Sequence, residues 1–289
     1  MSAYVLITPA RNEEAYIEKT IQAVLAQTIL PEKWVIVSDN STDRTDEIIS
    51  QHAEQHDFIQ HLRVTEHRQR NFGAKIEAIH AGCKQLGNRR YEFWGNLDAD
   101  VTFEPRYYEK VLAKFRENTK LGIAGGIVLE LIDGHFVEQH TSLNSVAGAV
   151  QLFRRPCYEE IGGYMPLVFG GEDAAAEIMV RMRGWEVQTF PELKVFHHRR
   201  VANGNGSLLR SRFRQGITSY LLGYHPLFQM MRCCYRIIER PYFLGSAFML
   251  GGYCLALLQK RARPLPDEAV NYLRAEQMER VLSIFRKKT

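Results

Sequence analysis

Residues 34–43, WVIVSDNSTD, set the pattern for the fold. An uncharged, β-branched run is followed at once by small polar and acidic residues, the signature of a buried strand (34–38) opening into a polar loop. Ser41, Thr42 and Asp43 are available to cap the helix expected over 43–54. Toward the N-terminus the unit repeats. AYVLIT (3–8) reads as a short buried strand, and Ile17, Ile21, Val24 and Leu25 carry helical spacing across 13–27. Toward the C-terminus follow a weak strand at 61–65, a helix at 72–86, a strand at 91–97 and a helix at 106–118. Alternating strands and helices predict a mainly parallel sheet with both faces covered, an α/β fold. Residues 121–140 break the alternation and read as a hairpin turning at Asp133-Gly134. A helix at 172–183 and a last strand at 193–198 complete this part, and the chain looks helical beyond 205. The expected organisation is an α/β domain over 1–204, in halves of about 1–120 and 121–204, with a helical region over 205–289.

Composition narrows the function classes. With 45% apolar and 24% charged residues, the chain is neither disordered nor collagen-like. The net charge of +4 hides a split. Residues 1–198 hold 21 Lys and Arg against 28 Asp and Glu, a net of −7, whereas residues 199–289 hold 16 against 5, a net of +11. A basic third on an acidic body suggests an anionic partner for the tail. The five cysteines lack metal-ligand spacing and follow no basic leader, which points to a reducing, cytoplasmic location.

Open parallel sheets bind ligands at the carboxyl ends of their strands. Three polar clusters fall there: Thr8–Glu13, Ser38–Asp43, and Asp98-Ala99-Asp100. Each alone reads as a capped loop; three at successive strand ends do not. No G-x-G-x-x-G or G-x-x-x-x-G-K-[ST] is present, which disfavours a dinucleotide fold or a P-loop. Asp98 and Asp100 are spaced to face one divalent cation, and such a cation commonly bridges diphosphate oxygens.

The stretches ITPARNEE, VIVSDNSTDRT, NFGAK, NLDAD and FGGEDAAAEIMVRMRGW, in this order, resemble the family-2 glycosyltransferases of the GT-A fold over roughly residues 3–200. The resemblance implies an inverting, nucleotide-sugar-dependent transferase. It assigns Pro9, Arg11, Glu13 and Asp39 to the nucleotide, with Asp39 accepting from the base, as from a uracil N–H. Gly73 and Lys75 match the family's nucleotide-side Gly-x-Lys, Asp98 falls near the ribose or donor sugar, and Asp100 binds Mg2+ or Mn2+. Asp173 matches the catalytic base, with Glu172 as an orienting or acceptor contact. A sugar hydroxyl is a poor nucleophile at neutral pH, so a carboxylate must take its proton as the new bond forms. The resemblance makes one of His197 and His198 a further metal ligand, and VFH at a strand end favours His197. Arg199, Arg200, Arg210, Arg212 and Arg214 surround Gly204-Asn205-Gly206, a loop suited to closing on a diphosphate. RFRQG at 212–216 departs from the Gln-x-x-Arg-Trp of processive family members.

The donor is expected to be a UDP-sugar and the acceptor a hydroxyl of a glycan or lipid-linked glycan, in the synthesis of a cell-surface polysaccharide or glycoconjugate. Two enzymes compete with this reading. A polyprenyl-phosphate glycosyltransferase needs no base for an acceptor that is already an anion, and a sugar-phosphate nucleotidylyltransferase needs a Gly-rich loop not found here. Nucleic acid is not an expected partner, because it would leave Asp98, Asp100 and Asp173 without a purpose. Residues 241–259 are uncharged but short and glycine-containing for a membrane span, and cations flank them on both sides. With a basic amphipathic pattern over 217–238, they predict peripheral attachment to an anionic membrane, on the inner face of the plasma membrane.

Overall fold

A computed structural model describes residues 3–65, 72–132, 134–138, 142–199 and 208–286. The chain divides into two units, Met1–Pro166 with Glu172–Arg200, and Leu167–Gly171 with Val201–Thr289. The first unit is a three-layer α/β structure. Strands β1 (Tyr4–Ala10), β2 (Lys33–Asp39), β3 (Ile59–Val64) and β4 (Phe93–Asn96) alternate with helices α1 (Ile17–Leu25), α2 (Thr45–Gln55) and α3 (Phe72–Lys84). Then come β5 (Val101–Phe103), α4 (Tyr107–Glu117), β6 (Leu121–Ile132), β7 (His135–Glu138), β8 (Leu152–Arg154), α5 (Arg155–Glu160), α6 (Glu172–Met182) and β9 (Glu186–His197).

The sheet order is β3-β2-β1-β4-β8-β6-β9-β5, with β7 on β6. The first four strands are parallel, as the alternation predicts. The half beyond β4 is mixed: β8 is antiparallel to β4 and β6, and β5 to β9, while β6 and β9 run parallel. Strand side chains alternate between faces, and each face has its own core. Tyr4, Leu6, Trp34 and Ile36 pack with Ile17, Ile21, Val111 and Phe115 on one side. Val5, Ile7, Val35 and Val37 pack with Ile76, Ile79, Ala176 and Val180 on the other. Pro9 has no N–H to donate, and it lies opposite Val37 beyond Ile7, where the pairing of β1 with β4 ends.

The expected hairpin forms between β6 and β7; Ile132 pairs His135, Gly134 adopts φ +83°, and Asp133 lies outside the described residues. Four elements depart from the sequence reading. Strands β5 and β8 have three residues each, too short for any periodicity, and α5 is six residues long. Strand β9 begins at Glu186 rather than 193, because Pro191-Glu192-Leu193 bulge out between the pairs Gly126↔Phe190 and Ile127↔Lys194. A Cβ on Gly126 would come within 2.1 Å of the Leu193 carbonyl oxygen, so only glycine admits that bulge.

The second unit is helical: α7 (Leu208–Leu221), α8 (Pro226–Tyr235), a 3-10 turn (Arg236–Ile238), α9 (Tyr242–Leu258) and α10 (Asp267–Arg286). The amphipathic helix expected over 217–238 is two helices. Gly223, at φ +86°, breaks it where a Cβ would strike Val270, and Ile217, Tyr220 and Leu222 are buried in this unit's core. Two of the three glycines of 241–259, Gly245 and Gly252, are buried and serve packing, as does Gly216 of α7. A Cβ on Gly216 would lie 1.9 Å from the Met249 carbonyl oxygen, and one on Gly252 would lie 2.0 Å from that of Phe213. α7 and α9 therefore cross with their backbones nearly touching. No helix among the described residues is long and apolar enough to cross a membrane.

Candidate active site

The carboxyl ends of β1, β2 and β4 place the three polar clusters side by side. The first two loops are tied to each other. Asn12, itself in the left-handed region at φ 55°, accepts the Thr42 N–H at 2.8 Å, and the Glu13 N–H donates to Thr45 Oγ1 at 2.7 Å. Asp43 accepts from the Thr45 N–H and hydroxyl and from the Glu14 N–H, so part of this cluster does cap and bind loops together. Asp39 escapes that role and pairs with Arg11 at 3.3 Å. A cleft of about 270 Å³ opens beside Asp39, lined by Val64, Ala74, Ala78 and His80. Gly73 is buried in the first turn of α3.

The turn after β4 holds two carboxylates. The Thr20 hydroxyl from α1 lies 2.9 Å from the Ala99 carbonyl and 3.0 Å from that of Val101, pinning the turn from below. The Asp98 N–H donates to the Ala149 carbonyl at 2.9 Å. Lys75, from α3, reaches Asp98 at 2.7 Å. Burial alone would lower the Lys75 pKa, but the charges of Asp98, Glu172 and Asp173 push it above the ordinary lysine value. Lys75 thus sits within electrostatic reach of three site carboxylates at once.

His197 ends β9, where β5 pairs it with Val101 and aims its ring at Asp100; Nε2 lies 3.0 Å from Oδ1. One ligand atom each from Asp98, Asp100 and His197 lie within 4.8 Å of one another. Burial opposes charge on Asp100, yet the hydrogen bond and charge of His197, with Arg199 and Lys75, hold its carboxyl below the usual value. Burial likewise opposes charge on His197, and Asp100, Asp98 and Glu130 raise it. Two carboxylate oxygens and an imidazole nitrogen converging on one point fit a divalent cation of the Mg2+ or Mn2+ kind. His198 is not in this group. Neighbouring strand residues face opposite ways, and its Nε2 meets Thr102 Oγ1 at 2.9 Å beside the Tyr16 ring.

Arg199 joins the centre to the first loop: its guanidinium contacts Glu13 at 2.5 Å, lies 3.8 Å from Asp100 and covers the Tyr16 ring. In the second unit, Arg212 pairs with Glu239 at 3.1 Å and donates to the Arg240 carbonyl, while burial lowers the Arg214 pKa. Arg200 and Gly204-Asn205-Gly206 lie outside the described residues.

Glu172 and Asp173 open α6 after two glycines with positive φ, Gly170 and Gly171. Asp173 Oδ1 accepts the Ala174 N–H at 2.7 Å, and Gly148 packs so closely that a Cβ there would lie 3.0 Å from Oδ2. Glu172 is raised above the usual carboxyl range by burial, against the pull of Lys75 and with the push of Asp173. The sequence reading missed what lies beneath. Glu177, one turn along α6, is 3% exposed and accepts from Val146 N at 2.7 Å, Ser145 Oγ at 3.1 Å and Gln151 Nε2 at 3.2 Å. Tyr164 donates to Gln151, and Asn96 donates to the Gly148 carbonyl. This buried network fixes the 145–151 loop against Asp173. Its one visible signal was an acid four residues after Asp173 and four before Arg181, the spacing of an ion pair along one helix face.

The sequence profile of "Glycosyl transferase family 2" matches residues 5–166. Among curated proteins the chain is 26% identical over 199 residues to a poly-beta-1,6-N-acetyl-D-glucosamine synthase of Staphylococcus aureus (strain COL), and 24% identical over 200 residues to that of Staphylococcus epidermidis. Each match covers 62% of this chain and 46% of the relative, so the chain spans about half the length of the curated relatives it matches. Among solved structures it resembles the mannosyltransferase PcManGT from Pyrobaculum calidifontis in complex with GDP-Man and Mn2+, with a TM-score of 0.60, 16% identity, and 89% and 88% of the two chains covered. GalNAc-T7 with UDP, GalNAc and Mn2+ gives 0.58 at 15% identity, covering 92% and 59%. S. aureus TarS 1–349 in complex with UDP-GlcNAc gives 0.53 at 12%, covering 89% and 73%. The mainly parallel sheet with its flanking helices is the GT-A fold, and the chain belongs to glycosyltransferase family 2.

Proposed function

We propose that this glycosyltransferase moves a sugar from a nucleoside diphosphate donor, UDP favoured, to a hydroxyl of a glycan or lipid-linked glycan, with inversion at the anomeric carbon. The observation that carries the reading is Lys75, which pairs with Asp98 on the donor side and is charge-coupled to Glu172 and Asp173 on α6. Its contact with Asp98 and its charge coupling to the two acids of α6 support reading all three carboxylates as parts of one site. Asp39, at the mouth of its cleft, accepts from the nucleotide base, with Pro9, Arg11 and Glu13 shaping the loop around it. Gly73 admits the nucleotide closely, and Asp98 with Lys75 orients the ribose or donor sugar. Asp98, Asp100 and His197 would hold the divalent cation, Mg2+ or Mn2+, which neutralises charge developing on the leaving diphosphate. Asp173 takes the proton from the acceptor hydroxyl, and Glu172 orients the acceptor. Support comes from the nucleotide-sugar donors and Mn2+ named with the solved neighbours, and from the polysaccharide synthases among the relatives.

Asp173→Asn tests the assignment. Nucleoside diphosphate release with membrane extract as acceptor source should fall by about 10²–10⁴-fold, the usual contribution of a positioned base. Donor binding measured by calorimetry should stay within a few-fold. Unchanged turnover would remove Asp173 as the base.

A further inference from the structure

We infer that the outward face of α9 is the surface by which this protein lies on an anionic lipid bilayer. The helix has 17 residues and no charge. Gly245, Ser246, Met249, Gly252, Tyr253 and Ala256 are buried on the side of α7. The opposite stripe, at helical spacing, is Leu244, Phe248, Gly251, Leu255 and Leu258, all exposed and none polar. Phe243 is 65% exposed, Leu258 80%, and Ile238, just before the helix, 79%. A helix normally turns charged and polar residues to water opposite its buried stripe. An apolar strip about 25 Å long, from 17 residues at 1.5 Å each, is therefore built to be covered.

Charge selects what covers it. Residues 201–289 carry 14 Lys and Arg against 5 Asp and Glu, a net of +9, and residues 167–171 add none. Two copies meeting on this face would bring like charges together, whereas an anionic bilayer draws them in. Arg240 precedes the strip and the exposed Lys260 follows it, cations at both ends that suit lipid headgroups, while the next two, Arg261 and Arg263, stack on Phe169 and Tyr220. The strip is too short for a hydrocarbon core of about 30 Å, and the α7 crossing at Gly216 and Gly252 holds the inner side of α9 to protein. The helix lies in the interface with its outer side in the acyl boundary. The apolar contact therefore comes from α9 and the 3-10 turn before it, and not from the segment around Ile217 and Tyr220, which is buried.

A native probe sits on the strip. Cys254 is exposed on α9; Cys234 is the other exposed cysteine, and Cys83, Cys157 and Cys233 are not exposed. The full chain carrying Cys234→Ser, labelled at Cys254 with an environment-sensitive fluorophore, is mixed with vesicles of phosphatidylcholine alone or with one-third phosphatidylglycerol. The expected result is a blue shift and co-sedimentation with the anionic vesicles only. Binding should weaken with added salt, and Phe243→Ser with Phe248→Ser should lower it at least about tenfold while circular dichroism is unchanged. Anionic binding that ignores these substitutions overturns the assignment to α9. A blue shift that rises with protein concentration without vesicles, with dimers by light scattering and no vesicle binding, shows a second copy there and also overturns it. No binding at low salt by a monomer does the same.

Discussion

Replacing Glu177 by Gln should change how the stability of the catalytic unit depends on pH. Glu177 is 3% exposed, and its carboxyl is pushed up to about 7 by burial and by Asp173, against the pull of Val146 N–H, Arg181 and Ser145. In the unfolded chain it titrates near its ordinary value of 4.5. The native state holds this proton more tightly, so its contribution is fully present below about 4.5 and is lost as pH rises through about 7. A gap of about 2.5 units at about 1.4 kcal/mol each makes roughly 3 kcal/mol in all, of which about 2–3 kcal/mol falls between pH 5 and 8. Glutamine cannot titrate, yet its carbonyl can still accept from Val146, Ser145 and Gln151. All three tryptophans, Trp34, Trp94 and Trp185, lie in the first unit, so urea unfolding followed by tryptophan fluorescence reports that unit. The stability of the wild type minus that of Glu177→Gln should fall by about 2–3 kcal/mol from pH 5 to pH 8. Other titrating groups cancel in the difference. A difference that stays flat across this range would refute the assignment of a raised pKa to Glu177.

Two other perturbations probe the metal group and the helix crossing. Asp100→Ala and His197→Ala should each weaken Mn2+ binding by at least about tenfold in calorimetry, while His198→Ala should leave it nearly unchanged, because His198 faces Thr102. Gly252→Val should cost several kcal/mol, roughly 3 or more, because even its Cβ would lie 2.0 Å from the Phe213 carbonyl oxygen; helical circular dichroism during thermal unfolding would show the loss.

Apart from β5, the alternating strands and helices of residues 3–118 were legible because hydrophobic runs and helical spacing are interrupted by loops rich in small polar and acidic residues. Asp98, Asp100 and His197 come together in space at the end of β4 and the end of β9, but only the D-x-D part of that group is local in sequence. In the sequence His197 is preferred over His198 only because VFH ends a strand; the strand facing that turns one ring to Asp100 and the other to Thr102 shows only in the structure. Strands β5 and β8 are too short for a periodic signal, and β9 is hidden by Pro191 in its middle. Glu177, Gln151, Tyr164 and Asn96 form a network whose members are remote in the chain, so nothing local marks them as partners. The reading of 217–238 as one amphipathic helix failed because apolar residues among arginines fit a small helical core as well as a membrane surface; only packing distinguishes Tyr220, which is buried, from Phe243, which is not.

The bulge in β9 has a consequence at the far end of that strand. Between Gly126 and Ile127 strand β6 advances one residue while β9 advances from Phe190 to Lys194, so β9 carries three extra residues. In the resulting register His197 stands opposite Glu130 and turns to Asp100, and His198 turns to Thr102. Were one of residues 191–193 removed and the looped-out segment still three residues long, the pairing beyond would slip by one, and His198 would take the place of His197, and Arg199 that of His198. Which of two identical neighbouring rings meets the carboxylate is thus a matter of parity, written at a glycine and a looped-out tripeptide rather than at the histidines themselves.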